Sequence, residues 1–193
     1  MGVEVSDLEA GRWIIDPANS RIIFTVRQLM ATVRGTFPDF EGEVVIGEDP
    51  LDSTARAEIR MGSIDTRNPE RDRHVRSAGI LDVRRHPIMT FTGTGVERAT
   101  AGRRARTPRY HFAGDLTIRG VTRPVRLLTE FRGVGSDSRG GIRAGFTATA
   151  VISRRRFGIE IDVPLQGDRV MLGDEITIAL EIQAVLAVPD TAA

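Results

Sequence analysis

YHFAGDLTIRGVTRPVRLLTEFRGVG, residues Tyr110 to Gly135, is the stretch that decides the fold. In its first arm Phe112, Gly114, Leu116 and Ile118 fall on one side, and His111, Asp115, Thr117 and Arg119 on the other. In its second arm Val125, Leu127, Thr129, Phe131 and Gly133 share a face, opposite Arg126, Glu130 and Arg132. Two runs of period two around a short glycine-containing connection predict an antiparallel hairpin with one dry and one wet face. Pro124 suits the mouth of the second arm, where a missing N–H costs least. The dry face must pack on something, and the rest of the chain offers mostly more strands.

Working outward, Arg21 to Leu29 reads as a strand after the turn Asp16-Pro17-Ala18-Asn19-Ser20, with Ile22, Phe24, Val26 and Gln28 on one face. Ala55, Ala57, Ile59 and Met61 alternate with Arg56, Glu58 and Arg60. Ile142, Ala144, Phe146, Ala148, Ala150 and Ile152 form another such row, and Ile176, Ile178, Leu180 and Ile182 a further one in the strand Glu175 to Ala187. Gly35 and Gly42 are candidate bulge or bend points. One helix is predicted over 68–78, with Asn68 as N-cap and Pro69 at the first helical position. Residues 97–108 and 136–141 read as loops, and 160–171 carry no clear pattern. About eight or nine strands, each with one apolar face, make an all-β domain, either a closed antiparallel barrel or a sandwich. Small alanines and glycines on the inward rows leave room inside.

Composition narrows the chemistry. The formal charge is +1, which gives nucleic acid no foothold, and all 27 basic residues are arginine. Without lysine or cysteine there is no Schiff base, thiolate or disulfide. No apolar run approaches the ~20 residues of a membrane span. The start MGVEVSDLEAG lacks a basic and an apolar region, so no secretory signal is expected and the chain reads as cytoplasmic. Met1-Gly2 with Ser6 matches a myristoylation pattern only formally. His74, His86 and His111 have no metal-ligand spacing, and there is no nucleophile elbow or phosphate-binding glycine loop. Arg103-Arg104-Ala105-Arg106 reads as a solvated loop, with no aromatic platform for RNA beside it.

Gly114-Asp115-Leu116-Thr117-Ile118-Arg119-Gly120-Val121-Thr122-Arg123-Pro124-Val125 resembles the signature of the YceI-like family of lipocalin-like, polyisoprenoid-binding proteins. In the same order follow a Trp13-x-x-Asp16-Pro17 opening, Gly35-x-Phe37-x-x-Phe40-x-Gly42, Arg71-Asp72-x-His74, and Arg154-x-x-Phe157-Gly158-Ile159. Two positions depart from the family pattern: Asn19 and Gln28 stand where histidine is usual, so no titratable group is expected at 28. The resemblance covers residues 12–187, leaving 1–11 and 188–193 as flexible tails.

The resemblance implies a closed lipocalin-like barrel of about eight strands that holds a polyisoprenoid, a polyprenyl phosphate or an isoprenoid quinone tail. The residues themselves point to no catalytic group, no metal and no cofactor besides that lipid, and leave as alternatives a barrel enzyme acting on a lipid-like substrate or a filled barrel serving as a structural or interaction module; a homodimer is expected by the resemblance. Phe24, Phe37, Phe40, Phe91, Phe112, Phe131, Phe146 and Phe157, with Val26, Gln28, Ile59, Leu116 and Leu127, would line the ligand. Arg71, Asp72 and His74 would either meet a polar head group or brace a helix across the barrel mouth.

Overall fold

The computed structural model describes residues 8–28, 31–99, 108–136, 140–161, 163–165, 168–170 and 172–187. Its strands in chain order are β1 (Gly11–Ile15), β2 (Arg21–Gln28), β3 (Ala31–Thr36), β4 (Phe40–Ile46) and β5 (Thr54–Arg60). After helix α1 (Pro69–Val75) come β6 (Ile88–Arg98), β7 (Arg109–Ile118), β8 (Val121–Ser136) and β9 (Ile142–Ser153). A small hairpin of β10 (Val163–Leu165) and β11 (Asp168–Val170) then leads into β12 (Leu172–Leu186). Eight of these strands close a ring in the order β1-β4-β5-β6-β7-β8-β9-β12, with β12 returning to β1. The protein is a closed antiparallel β-barrel with, among the described residues, one α-helix. The β2–β3 hairpin extends the sheet from the other half of the free edge of β12.

The hairpin at 110–135 forms as its alternation requires. β7 and β8 pair from Arg109↔Glu130 to Ile118↔Val121. Arg119 and Gly120 connect them at φ 53° and 75°. Positive φ at both central residues is the two-residue turn whose twist matches that of the strands. Closure is more economical. β1 meets β12 over only three residue pairs, Trp13↔Leu186 to Ile15↔Ala184, and meets β4 over four.

Two apolar clusters lie toward the two ends of the barrel. At the α1 end Phe37, Phe40, Ile59, Met61, Ile64, Leu81, Ile152 and Phe157 pack together. At the other end Leu8, Trp13, Ile46, Phe131, Ala144 and Ala184 do so. Leu8 is 7% exposed and Glu9 O accepts from Trp13 Nε1 at 3.0 Å, so residues 8–11 are not the loose tail expected of them.

Other expectations need correction. α1 ends at Val75 with Arg76 as C-cap, because the chain turns at Ser77 to Leu81, where Ile80 and Leu81 are drawn into the core. Glu97 and Arg98 are strand, paired with His111 and Tyr110. The patternless 160–171 stretch contains β10 and β11. Gly35 and Gly42 lie in unbroken register, and the shifts fall at Gly93/Gly95, Phe131/Gly133 and Leu172/Ile176 instead. What Gly35 permits is close approach: the Phe24 ring and Thr66 Cγ2 occupy the space of its missing Cβ. The expected tails at 1–7 and 188–193 and the Arg103-Arg104-Ala105-Arg106 cluster lie outside the described residues.

One ion pair joins the end of β1 to β9 beside the closing seam and gives a pH prediction. Asp16 accepts from Arg143 Nη1 at 2.5 Å, Asn19 Nδ2 at 2.8 Å and Ala18 N at 3.0 Å. Arg143, then Asn19, hold its carboxyl below the ordinary carboxylate range. A depressed folded-state pKa stabilises above the unfolded value near ~3.9, and that stability disappears as pH falls through the folded value. Asp16→Asn therefore flattens the acid limb of stability below about pH 4. Urea melts at stepped pH check this; an acid limb as steep as that of the unaltered protein would refute it.

Candidate functional site: the barrel lumen

Between the two end clusters the barrel encloses a cavity of about 720 Å³. It exists because the inward positions at mid-height carry little side chain. Ala55 and Ala57 on β5, Gly93 on β6, Gly114 on β7, and Ala148 and Ala150 on β9 supply no more than a methyl each. Longer apolar side chains complete the wall: Ile22, Phe24 and Val26 from β2, Val125 and Leu127 from β8, Ile176, Ile178, Leu180 and Ile182 from β12. Phe24, Phe91, Phe112, Leu127 and Ile178 are only half-buried although they point inward. A well-packed interior leaves no such surface, so these side chains border open volume.

At its α1 end the wall sets polar groups beside the apolar cluster. Gln28, Thr66, Asn68, Glu70, Arg71, His74 and Arg154 line it. Asn68 Oδ1 accepts from Arg71 N at 3.0 Å, which is the capping bond that starts the helix. Arg71 Nε donates to Thr66 Oγ1 and Nη2 to Thr66 O, both at 2.8 Å. Thr66 Oγ1 in turn donates to Asp72 Oδ1 at 2.6 Å, and Thr66 N donates to the same oxygen at 3.0 Å. Arg71 is thus held over the mouth by a threonine, with the balancing carboxylate one hydroxyl away. Arg154, 5% exposed, donates to Ile159 O at 2.8 Å, Gly173 O at 3.0 Å and Leu172 O at 3.1 Å. It pins the excursion between β9 and β12 against the same end.

Fourteen of the residues expected to meet a ligand lie on the cavity wall: Phe24, Val26, Gln28, Phe37, Phe40, Ile59, Arg71, His74, Phe91, Phe112, Leu116, Leu127, Phe131 and Phe146. Two do not. Phe157 is 2% exposed inside the α1-end core, because the Arg154 turn folds it under the rim. Asp72 faces away from the lumen into its bonds with Thr66 and lines a separate shallow groove. The wall also takes in residues missing from that expectation, among them Ala148, Ala150, Leu180, Tyr110 and Thr129. Their period-two alternation was signal enough to include them.

Among the described residues no cluster of three or more His, Asp or Glu could hold a metal, and no helix is long and apolar enough to cross a membrane. Among the described residues two carboxylates held below the ordinary range, Asp16 and Asp174, sit off the cavity wall, the latter lowered first by the Ser153 hydroxyl and then by Arg155 N.

A model of the YceI-like domain matches residues 13–184, nearly the whole barrel. The chain belongs to the YceI-like family. A UPF0312 protein of Pectobacterium carotovorum is 37% identical over 148 residues, 76% of this chain and 71% of that one. The curated relatives it matches are spanned over about two thirds of their length, 64% for one from Photorhabdus laumondii. The crystal structure of BcnA from Burkholderia cenocepacia shares the fold of this chain at TM-score 0.70 and 21% identity, covering 88% of this chain and 98% of that one. A domain from Saccharophagus degradans, described as polyisoprenoid binding and implicated in plant cell wall breakdown, superposes at TM-score 0.67. It covers 93% of this chain and 100% of that domain at 10% identity, so it shares the architecture alone.

Proposed function

We propose that this YceI-like protein is a non-enzymatic carrier that encloses a long apolar chain, an isoprenoid lipid, in its lumen. The observation that supports the reading most is the half-buried apolar wall around a cavity of about 720 Å³ inside a closed sheet. Binding pockets commonly measure ~300–1,000 Å³ and are mostly apolar with a few polar groups at one place. At the ~30 Å³ that each water occupies in the liquid, the space suits roughly 25 non-hydrogen atoms. Burying about 400 Å² of apolar ligand surface yields on the order of 10 kcal/mol gross at ~25 cal/mol/Å². Lost freedom of ligand and wall subtracts several kcal/mol. The remainder is sufficient without a charged anchor. The polar rim at α1 is where a head group such as a prenyl phosphate or a quinone would sit, and the neighbour described as polyisoprenoid binding supports the choice of chain.

The test is uptake. Delipidated protein titrated with a polyprenol, without detergent, should gain about 2.7 kcal/mol of stability at a hundredfold excess over Kd. No thermal shift with any polyprenol or menaquinone would count against the carrier reading.

The rim separates bracing from contact. Arg71→Ala removes two bonds to Thr66 and is expected to cost about 1.5–3 kcal/mol of stability, as bonds from a charged donor do. His74 is exposed at the rim, so His74→Ala should leave stability within about 0.5 kcal/mol and weaken a head-bearing ligand about fivefold. Melts and ligand titrations on the two variants measure both. A lipid product formed by the unaltered protein and lost in His74→Ala would overturn the carrier assignment.

A further inference from the structure

Phe91, Gly93, Phe112 and Gly114 form a reciprocal set on the lumen wall. Gly93 and Gly114 are direct partners across β6 and β7. The Phe112 ring of β7 lies over Gly93 of β6, and the Phe91 ring of β6 lies over Gly114 of β7. The ring centroids are 6.3 Å apart at an interplanar angle of 54°. A Cβ on Gly93 would collide with Cε1 and Cζ of Phe112, with Ala55 N at 3.1 Å. A Cβ on Gly114 would sit 2.5 and 2.6 Å from Phe91 Cζ and Cε2, and 2.7 Å from Thr92 O. Both rings line the cavity, yet each is laid back against the facing strand because glycine leaves it that space.

From this we infer that the Phe–Gly pairs set the length of chain the lumen admits, an inference that rests on the carrier reading. The set lies at mid-height. Leu116, Ile118 and the α1-end cluster are on one side of it; Val96, Tyr110 and Thr129 line the lumen on the other. Strand backbone is behind each ring, so a ring denied its glycine has only the cavity to move into. A ring turned inward divides the lumen and leaves the α1 half for shorter chains. Gly93 is the better position to alter, since the nearest obstruction there is a side chain; at Gly114 a backbone oxygen also blocks.

The experiment measures binding of geraniol, farnesol and geranylgeraniol, linear prenols of two, three and four isoprene units, to delipidated protein. The unaltered protein should prefer the longest. Gly93→Ala should lower the ratio of geranylgeraniol to geraniol affinity by about tenfold or more, as the last units lose their burial. Adding Phe112→Ala to Gly93→Ala should restore the ratio, since the displaced ring is gone. Phe112→Ala alone, which keeps the glycine, should raise it. An unchanged ratio in Gly93→Ala overturns the inference while leaving the carrier reading intact; should that variant fail to fold, an unchanged ratio in Phe112→Ala does the same. Unaltered protein that takes up no prenol at all overturns both.

Discussion

Trp13→Ala is expected to destabilise the protein by about 3–5 kcal/mol, the cost of emptying a large aromatic site in a core. Trp13 has no exposed surface. Its ring centres the cluster of Leu8, Ile46, Phe131, Ala144 and Ala184, and its indole N–H is satisfied by Glu9 O at 3.0 Å. The position matters as much as the volume. Trp13 lies on β1, paired with Leu186 on one side and Val44 on the other, so it sits on the seam that closes the ring. The midpoint of thermal unfolding should fall by about 10 °C for a chain of this size. Amide exchange should rise first at 184–186, where the seam is three pairs long. A loss below about 1 kcal/mol would mean that closure is secured elsewhere.

The second large effect compares neighbours on β8. Leu127 faces the lumen, and Arg126 faces solvent in an ion pair with Glu97 at 2.7 Å whose side chains are 58% and 71% exposed. Leu127→Arg puts an unpaired charge against an apolar wall, which costs several kcal/mol. It should abolish lipid retention or unfold the barrel. Arg126→Leu should change stability by only about 0.5 kcal/mol, because exposed pairs contribute little. Similar melts and similar lipid content for both variants would contradict the assignment of faces.

The faces of this hairpin are legible in the sequence because two constraints coincide there. The side-chain period of a strand is two, and Arg119-Gly120 suits a turn with positive φ at both residues. The same period revealed the inward rows of β5, β9 and β12, and with them most of the lumen wall. Ring closure left no such local mark. β1 and β12 are at opposite ends of the chain and share three pairs, and nothing in Trp13-Ile14-Ile15 names its partner. The seven-residue helix is too short for its sequence pattern to assign faces. Sequence alone leaves Arg71 and Asp72 either to meet a head group or to brace the helix; bonds to Thr66, a residue outside the helix, turn Asp72 away from the lumen. Gly35 and Gly42 read as bulge or bend points because glycine in a strand has two explanations. The second, space for a neighbouring ring or backbone, becomes visible only when Phe24 and Arg56 O are in place.

A carrier of this kind has its lumen occupied by an apolar chain when the protein is made. Native mass spectrometry of protein purified without detergent tests it most directly, with Leu127→Arg as the comparison. The expected result is a near-stoichiometric adduct on the unaltered protein that organic solvent releases as an isoprenoid lipid, and none on a folded Leu127→Arg variant. A bare chain mass for the unaltered protein, with an extract free of lipid and no adduct after adding polyprenols, would contradict it.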